Sequence, residues 1–281
     1  MKLVCKFFLT AGKILAGLIV LALLISSVVY INLKSFTVKK IRMSDAQNNV
    51  QNHGQEVYLM GTFHTSHFDK MSNYSIEEML NAVKNINPDV IFIEAREENF
   101  DRLGIVDGPV DMCIAYSYCQ DVQLPVEMID YWKVDNDTYK KNTTTADRDN
   151  HIHQNIMKKL KQYDDKKILI ICGFGHLYPQ CDRLLSAGGK KEKIPHAGNL
   201  FKRGTHGAED SGDFKYPSSI CDVWEKRSYF YAHTYPESIQ ADENIYDDVK
   251  AQWPVDTTNR FYNSQMKYCE LFKNNRIYRE K

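Results

Sequence analysis

Four chemically versatile side chains each lie at the end of an apolar run of the sequence. They are His64 after VYLMG (57–61), Glu94 within DVIFIEAR (89–96), Asp130 at the end of LPVEMID (124–130), and His176 after KILIIC (167–172). Histidine binds metals and exchanges protons near neutral pH, and a carboxylate orients it or shares the metal. The carboxyl ends of parallel strands lie along one edge of a sheet. If the apolar runs are such strands, these side chains meet in one crevice.

Helical patterns separate the four apolar runs. Ser75 and Glu78 have the spacing of a capping box that begins a first helix. Further helices are predicted over about 109–121 and 146–163. Strands that alternate with helices in this way predict an α/β fold, with a largely parallel central sheet and flanking helices.

Two of the four sites share the form G-x-x-H. Gly61 lies three residues before His64, and Gly173 lies three residues before His176. Glycine permits a tight exit of the chain from a strand and leaves room for a ligand beside the strand end. Both positions therefore suit a ligand crevice at this edge of the sheet.

This set of motifs resembles the TraB/Tiki group, which belongs to a superfamily that also holds erythromycin esterases and haem-binding ChaN-like proteins. The resemblance covers roughly residues 56–187 and runs in family order through GTFH, PDVIFIEAR, LPVEMID, ADRDNHIHQNI and ILIICGFGH. The first crossover is shorter than in animal Tiki proteins, and the region after 190 differs. The resemblance therefore implies the superfamily but transfers no substrate.

The resemblance implies that His64, Glu94 and His176 form the core of an active site. In Tiki-like proteins such residues are associated with proteolysis that depends on a divalent metal, whereas the esterase branch is thought to use a histidine as a general base. The expected protein is a hydrolase of peptides or esters, with a divalent metal ion held by these three residues. Nothing in the sequence selects which metal.

The resemblance also implies Arg96, Asp130 and Arg148 as pocket residues, and either arginine would stabilise a developing oxyanion. A competing scheme without metal uses one histidine as a base oriented by Glu94, while the other histidine binds the substrate. A further alternative is a ChaN-like protein that holds haem or another ligand without turnover. His67 is more typical of a loop residue than of a catalytic one.

Residues 14–33 form a run without a charged side chain, ILAGLIVLALLISSVVYINL. A helix of this length spans the hydrocarbon layer of about 30 Å. The run predicts a single-pass transmembrane anchor between a short flank (1–13) and a linker (34–55), with a cleaved signal peptide as the alternative. An anchor at the amino terminus favours export of the large domain, 56–281, although lysines on both sides leave the orientation open.

The composition limits the partners of this domain. The 281 residues include 36 basic and 36 acidic side chains, so the formal net charge is zero. Nucleic acid is not expected as a partner, because its phosphates are normally met by a basic excess. No C-x-x-C pair is present, which argues against a zinc ribbon or a thioredoxin-type site. The oligomeric state is left open.

The domain is interpreted as a core, 56–187, with a carboxyl-terminal elaboration, 188–281. Within the elaboration, a long polar loop is predicted over 190–220 and a tyrosine-rich strand over 228–235. A terminal helix is expected from about residue 258.

Overall fold

A computed structural model describes residues 15–21, 34–43, 54–134, 136, 145–204 and 213–279. Its strands are β1 (Val38–Met43), β2 (Gln55–Thr62), β3 (Val90–Arg96), β4 (Val126–Asp130), β5 (Lys167–Gly173) and β6 (Lys190–Glu192). They form one six-stranded sheet in the order β4-β3-β5-β2-β1-β6. The pairs formed by β2, β5, β3 and β4 are parallel, and β1 runs antiparallel to both β2 and β6.

Helices cover both faces of this sheet. They are α1 (Ile76–Ile86), α2 (Glu97–Leu103), α3 (Val110–Val122), α4 (Thr145–Leu160), α5 (Phe174–Ser186), α6 (Ile220–Tyr229), α7 (Tyr235–Ala241), α8 (Asp247–Lys250) and α9 (Arg260–Lys273). Ile76 of α1 and Ile114 of α3 belong to one apolar core, whereas Ile156 of α4 and Leu184 of α5 belong to a second. Successive residues of the central strands alternate between the two cores. The predicted α/β fold with a largely parallel sheet and flanking helices is confirmed.

The first crossover forms as its local signals predict. The side chain of Ser75 accepts a hydrogen bond from the backbone N–H of Glu78, and the Glu78 side chain accepts one from the backbone N–H of Ser75. This capping box begins α1. Asn87 ends the helix in a left-handed conformation with φ 50°, and Pro88 follows it. The chain then enters β3, whose seven residues are all buried.

The strand β1 lies in the stretch 34–55 that the sequence suggests is a linker. Lys40 and Arg42 of this strand each form ion pairs with Glu56 of β2 and Glu192 of β6. These charges interrupt the apolar pattern by which a strand is recognised, so β1 was not predicted. The short β6 likewise lies within the predicted loop 190–220.

The predicted strand over 228–235 is wrong. These residues end α6, continue as a π-helical turn over Phe230–Thr234 and begin α7. The alternating aromatic residues suggest a strand, but Tyr231 and Tyr235 are also four residues apart and therefore share one face of a helix. Both contact the side chain of Arg96. The terminal helix is confirmed as α9.

The predicted membrane segment 14–33 lies largely outside the described residues. Residues 15–21 are helical, and the side chains of Leu15, Leu18, Ile19, Val20 and Leu21 are each more than half exposed. Within the described part of the chain, no helix is both long enough and apolar enough to cross a membrane. The anchor stays a prediction, because residues 14 and 22–33 are outside the described residues.

Candidate functional site

The strand register brings the two glycine motifs side by side. Gly61 at the end of β2 lies opposite Cys172 of β5, and Thr62 lies opposite Gly173. Glu94 at the end of β3 reaches the same place, because its Oε2 accepts a hydrogen bond from the backbone N–H of Gly173. The carboxyl edge of the sheet is therefore where the predicted residues gather.

His176 is fixed within the first turn of α5. Its Nδ1 lies 2.6 Å from Oδ1 of Asp149, and its side chain is only 9% exposed. The amide of Gln180 also donates to Oδ1 of Asp149, at 3.1 Å, so this carboxylate is held from two sides. A carboxylate oxygen at this distance favours the tautomer in which Nδ1 donates the hydrogen bond. The other ring nitrogen, Nε2, faces Oε1 of Glu94 at 3.6 Å.

His64 follows β2 in a short 3-10 helix, His64–Phe68. Its Nδ1 lies 3.3 Å from both oxygens of Asp111, and its backbone N–H donates to Oδ2 of the same carboxylate at 3.2 Å. Asp111 is fully buried in α3, whereas the side chain of His64 is 39% exposed. Asp111 therefore orients the His64 ring, and Nε2 lies on the side of the ring that faces away from Asp111.

Gly173 is where His64 meets Glu94. A Cβ atom at this position would lie 2.7 Å from Nε2 of His64 and 3.2 Å from Oε2 of Glu94. Both side chains therefore pack against the bare backbone of Gly173, and a larger residue would displace them. Since Glu94 also faces His176, the two histidines and the glutamate converge.

Charges within the site act on the protonation of His64. Burial acts to lower the pKa of His64, but the hydrogen bond and charge of Asp111, together with the charge of Glu94, outweigh burial and raise it. Burial acts to raise the pKa of Asp111, yet the hydrogen bond and charge of His64 hold it at about 2. Asp111 is therefore ionised at neutral pH, and His64 is a stronger base than an ordinary histidine.

His67 supports the turn at His64 through hydrogen bonds to the neighbouring backbone. It is fully buried, its Nδ1 lies 2.8 Å from the carbonyl oxygen of Tyr74, and its Nε2 accepts the backbone N–H of Phe63 at 2.9 Å. Burial lowers the pKa of His67, which favours the neutral ring that this pattern needs. The sequence suggests a loop residue, but the structure gives His67 a fixed place next to the backbone that carries His64.

The carboxyl end of the described chain also holds the turn. The backbone N–H of Arg279 donates to the carbonyl oxygen of Phe68 at 3.0 Å. Its guanidinium donates to the carbonyl oxygen of Thr65 at 3.3 Å and to Asp69 at 3.0 Å. The carboxyl-terminal elaboration therefore contacts the turn that carries His64.

Arg148 joins Glu94 to Asp130. Its Nη2 donates to Oε1 of Glu94 at 2.7 Å and to Oδ2 of Asp130 at 2.8 Å, while its Nε donates to Oδ1 of Asp130 at 3.0 Å. Burial acts to lower the pKa of Arg148, but the charges of Asp130 and Glu94 raise it. The predicted residues Asp130 and Arg148 are therefore part of the same cluster.

Arg96 has different partners. Its Nε donates to the buried carboxylate of Asp107, and its Nη1 donates to the carbonyl oxygen of Trp132 at 2.8 Å and to the hydroxyl of Tyr235 at 3.1 Å. Its guanidinium also packs on the rings of Trp132 and Tyr235. Arg96 thereby ties β3 to the carboxyl-terminal helices, and its partners do not include the two histidines or Glu94.

Sequence reasoning missed Asp111 and the role of Asp149. Asp149 follows Arg148 near the start of α4. It lies within the motif ADRDNHIHQNI, so the sequence contained a signal for it. Asp111 is a single carboxylate in the apolar run GPVDMCIAY. An acid at the first turn of a helix is ordinarily explained by the helix dipole, so the sequence alone gave no reason to pair it with His64.

The donor set suits a site without metal better than the predicted metal site. Both oxygens of Glu94 are engaged, one by the guanidinium of Arg148 and one by the N–H of Gly173. A cation bound to Glu94 would lie beside that guanidinium and be repelled by it. Among the described residues, no group of three or more histidine, cysteine, aspartate or glutamate side chains is placed to hold a metal ion.

Comparisons with family models, with curated proteins and with solved structures find no match to this chain. The resemblance to the TraB/Tiki group therefore depends on the motifs of the sequence alone.

Proposed function

We propose that this protein is a hydrolase of esters or peptides that resembles the TraB/Tiki group and uses a histidine base. One observation carries the proposal. In both His64 and His176, Nδ1 lies beside a buried aspartate and Nε2 lies on the side of the ring that faces Glu94. A carboxylate at Nδ1 fixes the tautomer and leaves Nε2 to accept a proton. This arrangement supports acid–base catalysis more than a purely structural role.

His64 is the proposed base, because it is the more exposed histidine and its pKa is raised. Its Nε2 takes a proton from a water molecule, whose oxygen attacks the carbonyl carbon of the substrate. The bond to the leaving group then breaks, and the proton passes from Nε2 to the departing oxygen or nitrogen. Asp111 stabilises the imidazolium that forms between these steps.

The remaining cluster would bind the reacting carbonyl. Arg148 carries the positive charge nearest to Glu94 and is held by Asp130, so it is the proposed partner of the developing oxyanion. His176, fixed by Asp149, is proposed to bind the substrate through Nε2. Glu94 would hold Arg148 and the turn at Gly173 in place.

The test is hydrolysis by the purified full chain after metal has been stripped, across a library of esters and peptides. The proposal expects activity without metal and its loss in His64→Gln, whereas the off-site control His233→Gln keeps it. Activity that returns only when a divalent ion is added would support the metal scheme instead. No hydrolysis by either form of the wild-type chain would overturn the enzyme proposal.

Ligand binding without turnover, as in the ChaN-like branch, is the second candidate. The site contains four carboxylates: Glu94 and Asp130 contact Arg148, Asp111 contacts His64, and Asp149 contacts His176. Such a polar cluster does not supply the apolar platform that a haem needs. The strong visible absorbance of bound haem in purified protein would show that this argument is wrong.

The proposed enzyme is held in a membrane by residues 14–33, with its large domain exported. The apolar run and the exposed apolar helix over 15–21 support this part of the proposal. The full chain is expected to remain with membranes after carbonate washing. Recovery of the chain in the wash, or of a mature chain that begins near residue 30, would overturn the anchor.

A further inference from the structure

An aromatic strip connects the two histidine motifs to the beginning of β1. The strip consists of Phe63, Phe174, Tyr178 and Phe36, with the ammonium group of Lys39 between the last two. The ring centroids of Phe63 and Phe174 are 5.2 Å apart, and those of Phe174 and Tyr178 are 5.8 Å apart. Lys39 Nζ lies 4.9 Å from the ring centroid of Tyr178 and 5.6 Å from that of Phe36. Phe63 and Phe174 are the neighbours of His64 and Gly173 in the two motifs.

The antiparallel direction of β1 determines where its chain enters the sheet. Val38 at the start of β1 lies opposite Met60, near the end of β2. The carbonyl oxygen of Thr37 accepts the backbone N–H of Gly61 at 2.8 Å. Since Gly61 lies opposite Cys172 of β5, the first residues of β1 lie at the same edge as the candidate site.

The predicted anchor ends just before this point. Residue 33 precedes Thr37 by four positions. A chain extends at most about 3.6 Å per residue, so these positions span no more than about 14 Å. The backbone N–H of Thr37 also donates to the carbonyl oxygen of Lys34 at 3.1 Å, which folds the connection back on itself. A chain that leaves the bilayer at residue 33 therefore brings the catalytic edge close to the lipid headgroups.

The outer part of the strip has the chemistry of a membrane interface. Phe36 is 54% exposed and Tyr178 is 42% exposed, although both are large aromatic residues. Tyrosine, tryptophan and lysine are enriched at the level of the headgroups, where the apolar part of the side chain contacts the lipid and its polar group stays hydrated. The strip thus offers such groups on the side of the domain where the anchor enters.

We propose that the aromatic strip lies against the bilayer that holds residues 14–33, so that the site cleaves a bond in a molecule held at that membrane surface. This inference rests on the proposed function, since it needs both the anchor and the hydrolase. Water supplies the attacking oxygen, and its proton passes through Nε2 of His64 to the leaving group. Half-buried Phe63 and Phe174 would contact the apolar part of such a substrate next to the two histidines.

Quenching by brominated phospholipids tests the position of the strip in the full chain. Tyr178→Trp places a tryptophan in the strip, and Phe261→Trp places one in α9 at a position that is also 42% exposed. In phosphatidylcholine vesicles whose acyl chains carry bromine, the emission added by Tyr178→Trp should fall by at least about half relative to unbrominated vesicles. The emission added by Phe261→Trp should stay unchanged. Equal quenching of the two variants, or no quenching of Tyr178→Trp in a chain that stays with the vesicles, would overturn the inference and leave the anchor intact.

The position of the cleaved bond needs a second measurement. An ester or peptide from the library is linked to a lipid by a short spacer or by one longer than the domain, and each is placed in vesicles with the full chain. The inference expects the short-spacer substrate to be cleaved at least as fast as the long-spacer substrate. Cleavage of the long-spacer substrate alone would place the site away from the membrane and overturn the inference. Release of the chain from vesicles would overturn anchor and inference together, and absence of all hydrolysis would instead contradict the enzyme proposal.

Discussion

His64 and His176 end the same four-residue motif, yet the protein surrounds them differently. His64 lies in a short 3-10 turn with a left-handed backbone, φ 53°, and its side chain is 39% exposed. His176 lies in the first turn of an α-helix, and its side chain is 9% exposed. The first ring lies 3.3 Å from two oxygens of Asp111, whereas the second lies 2.6 Å from one oxygen of Asp149.

This difference indicates a division of roles between two similar motifs. The exposed ring of His64 is accessible to water and has a raised pKa, as a base that activates water requires. The buried ring of His176 is held by a carboxylate that Gln180 also binds, which suits a fixed contact with substrate. A motif alone therefore does not assign a role, because the neighbouring helices set the environment of each histidine.

Replacement of His64 should have the largest effect on turnover. His64→Gln removes the proposed base and keeps a polar side chain, so kcat should fall by about 10²–10⁴-fold with little change in KM. Steady-state kinetics on the best substrate of the library would measure both constants, with His233→Gln as the control. Wild-type kcat in His64→Gln would remove His64 from the mechanism.

A substitution at Gly173 tests whether activity depends on the close packing of His64 and Glu94 against its backbone. Gly173→Ala places a methyl group against Nε2 of His64 and Oε2 of Glu94, and displacement of catalytic groups by about 1 Å can cost about 10²-fold in rate. Gly175→Ala is the matched control, because a Cβ there meets nothing within 4 Å beyond its chain neighbours and the backbone of its own helix. We expect a loss of kcat/KM in the first variant alone. Equal activities of the two variants would contradict the close packing of His64 and Glu94 on Gly173.

His176 should differ from His64 in the constant that it changes. His176→Gln removes one proposed contact with substrate, so KM should rise by about tenfold, which corresponds to about 1.4 kcal/mol or one hydrogen bond. The same kinetic measurements should show kcat within a few fold of the wild type. A loss of kcat as large as that in His64→Gln would mean that both histidines act on the proton.

The pair of His64 and Asp111 should also contribute to stability in a defined pH range. The lowered pKa of Asp111, about 2, gives stability that is present above the unfolded pKa of about 3.9 and is lost as pH falls. The raised pKa of His64 gives stability that is present below about 6.5 and is lost as pH rises through its folded value. Urea midpoints of wild type and His64→Gln should therefore differ most between about pH 4 and 6.5. A difference that does not vary with pH would show that the ion pair is not its source.

The regular part of the fold could be predicted from the sequence because each central strand is buried on both faces. Such strands, β3 and β5 above all, consist largely of apolar residues, and the capping box at Ser75 marks the helix between β2 and β3. The carboxyl edge then follows from the parallel direction. This is why His64, Glu94, Asp130 and His176 were found together in the sequence.

Other features depend on contacts between distant parts of the chain. Lys40 and Arg42 of β1 form ion pairs with Glu56 and Glu192, and the turn at His64 is held by Arg279, which is 210 residues away from Asp69. Asp111 contacts His64 because α3 packs beside that turn. The family resemblance implied Arg96 as a pocket residue, but its side chain is hydrogen-bonded to Asp107.

The pH dependence of kcat/KM in Asp111→Asn tests most directly the claim that His64 is a base oriented by Asp111. In the metal-stripped wild-type chain, activity should rise with pH as His64 loses its proton. Because the charge of Asp111 raises the pKa of His64, its removal should move this acid limb to lower pH by about one unit or more and lower the plateau. An acid limb that stays in place in Asp111→Asn, or that appears only when a divalent ion is restored, would contradict the account.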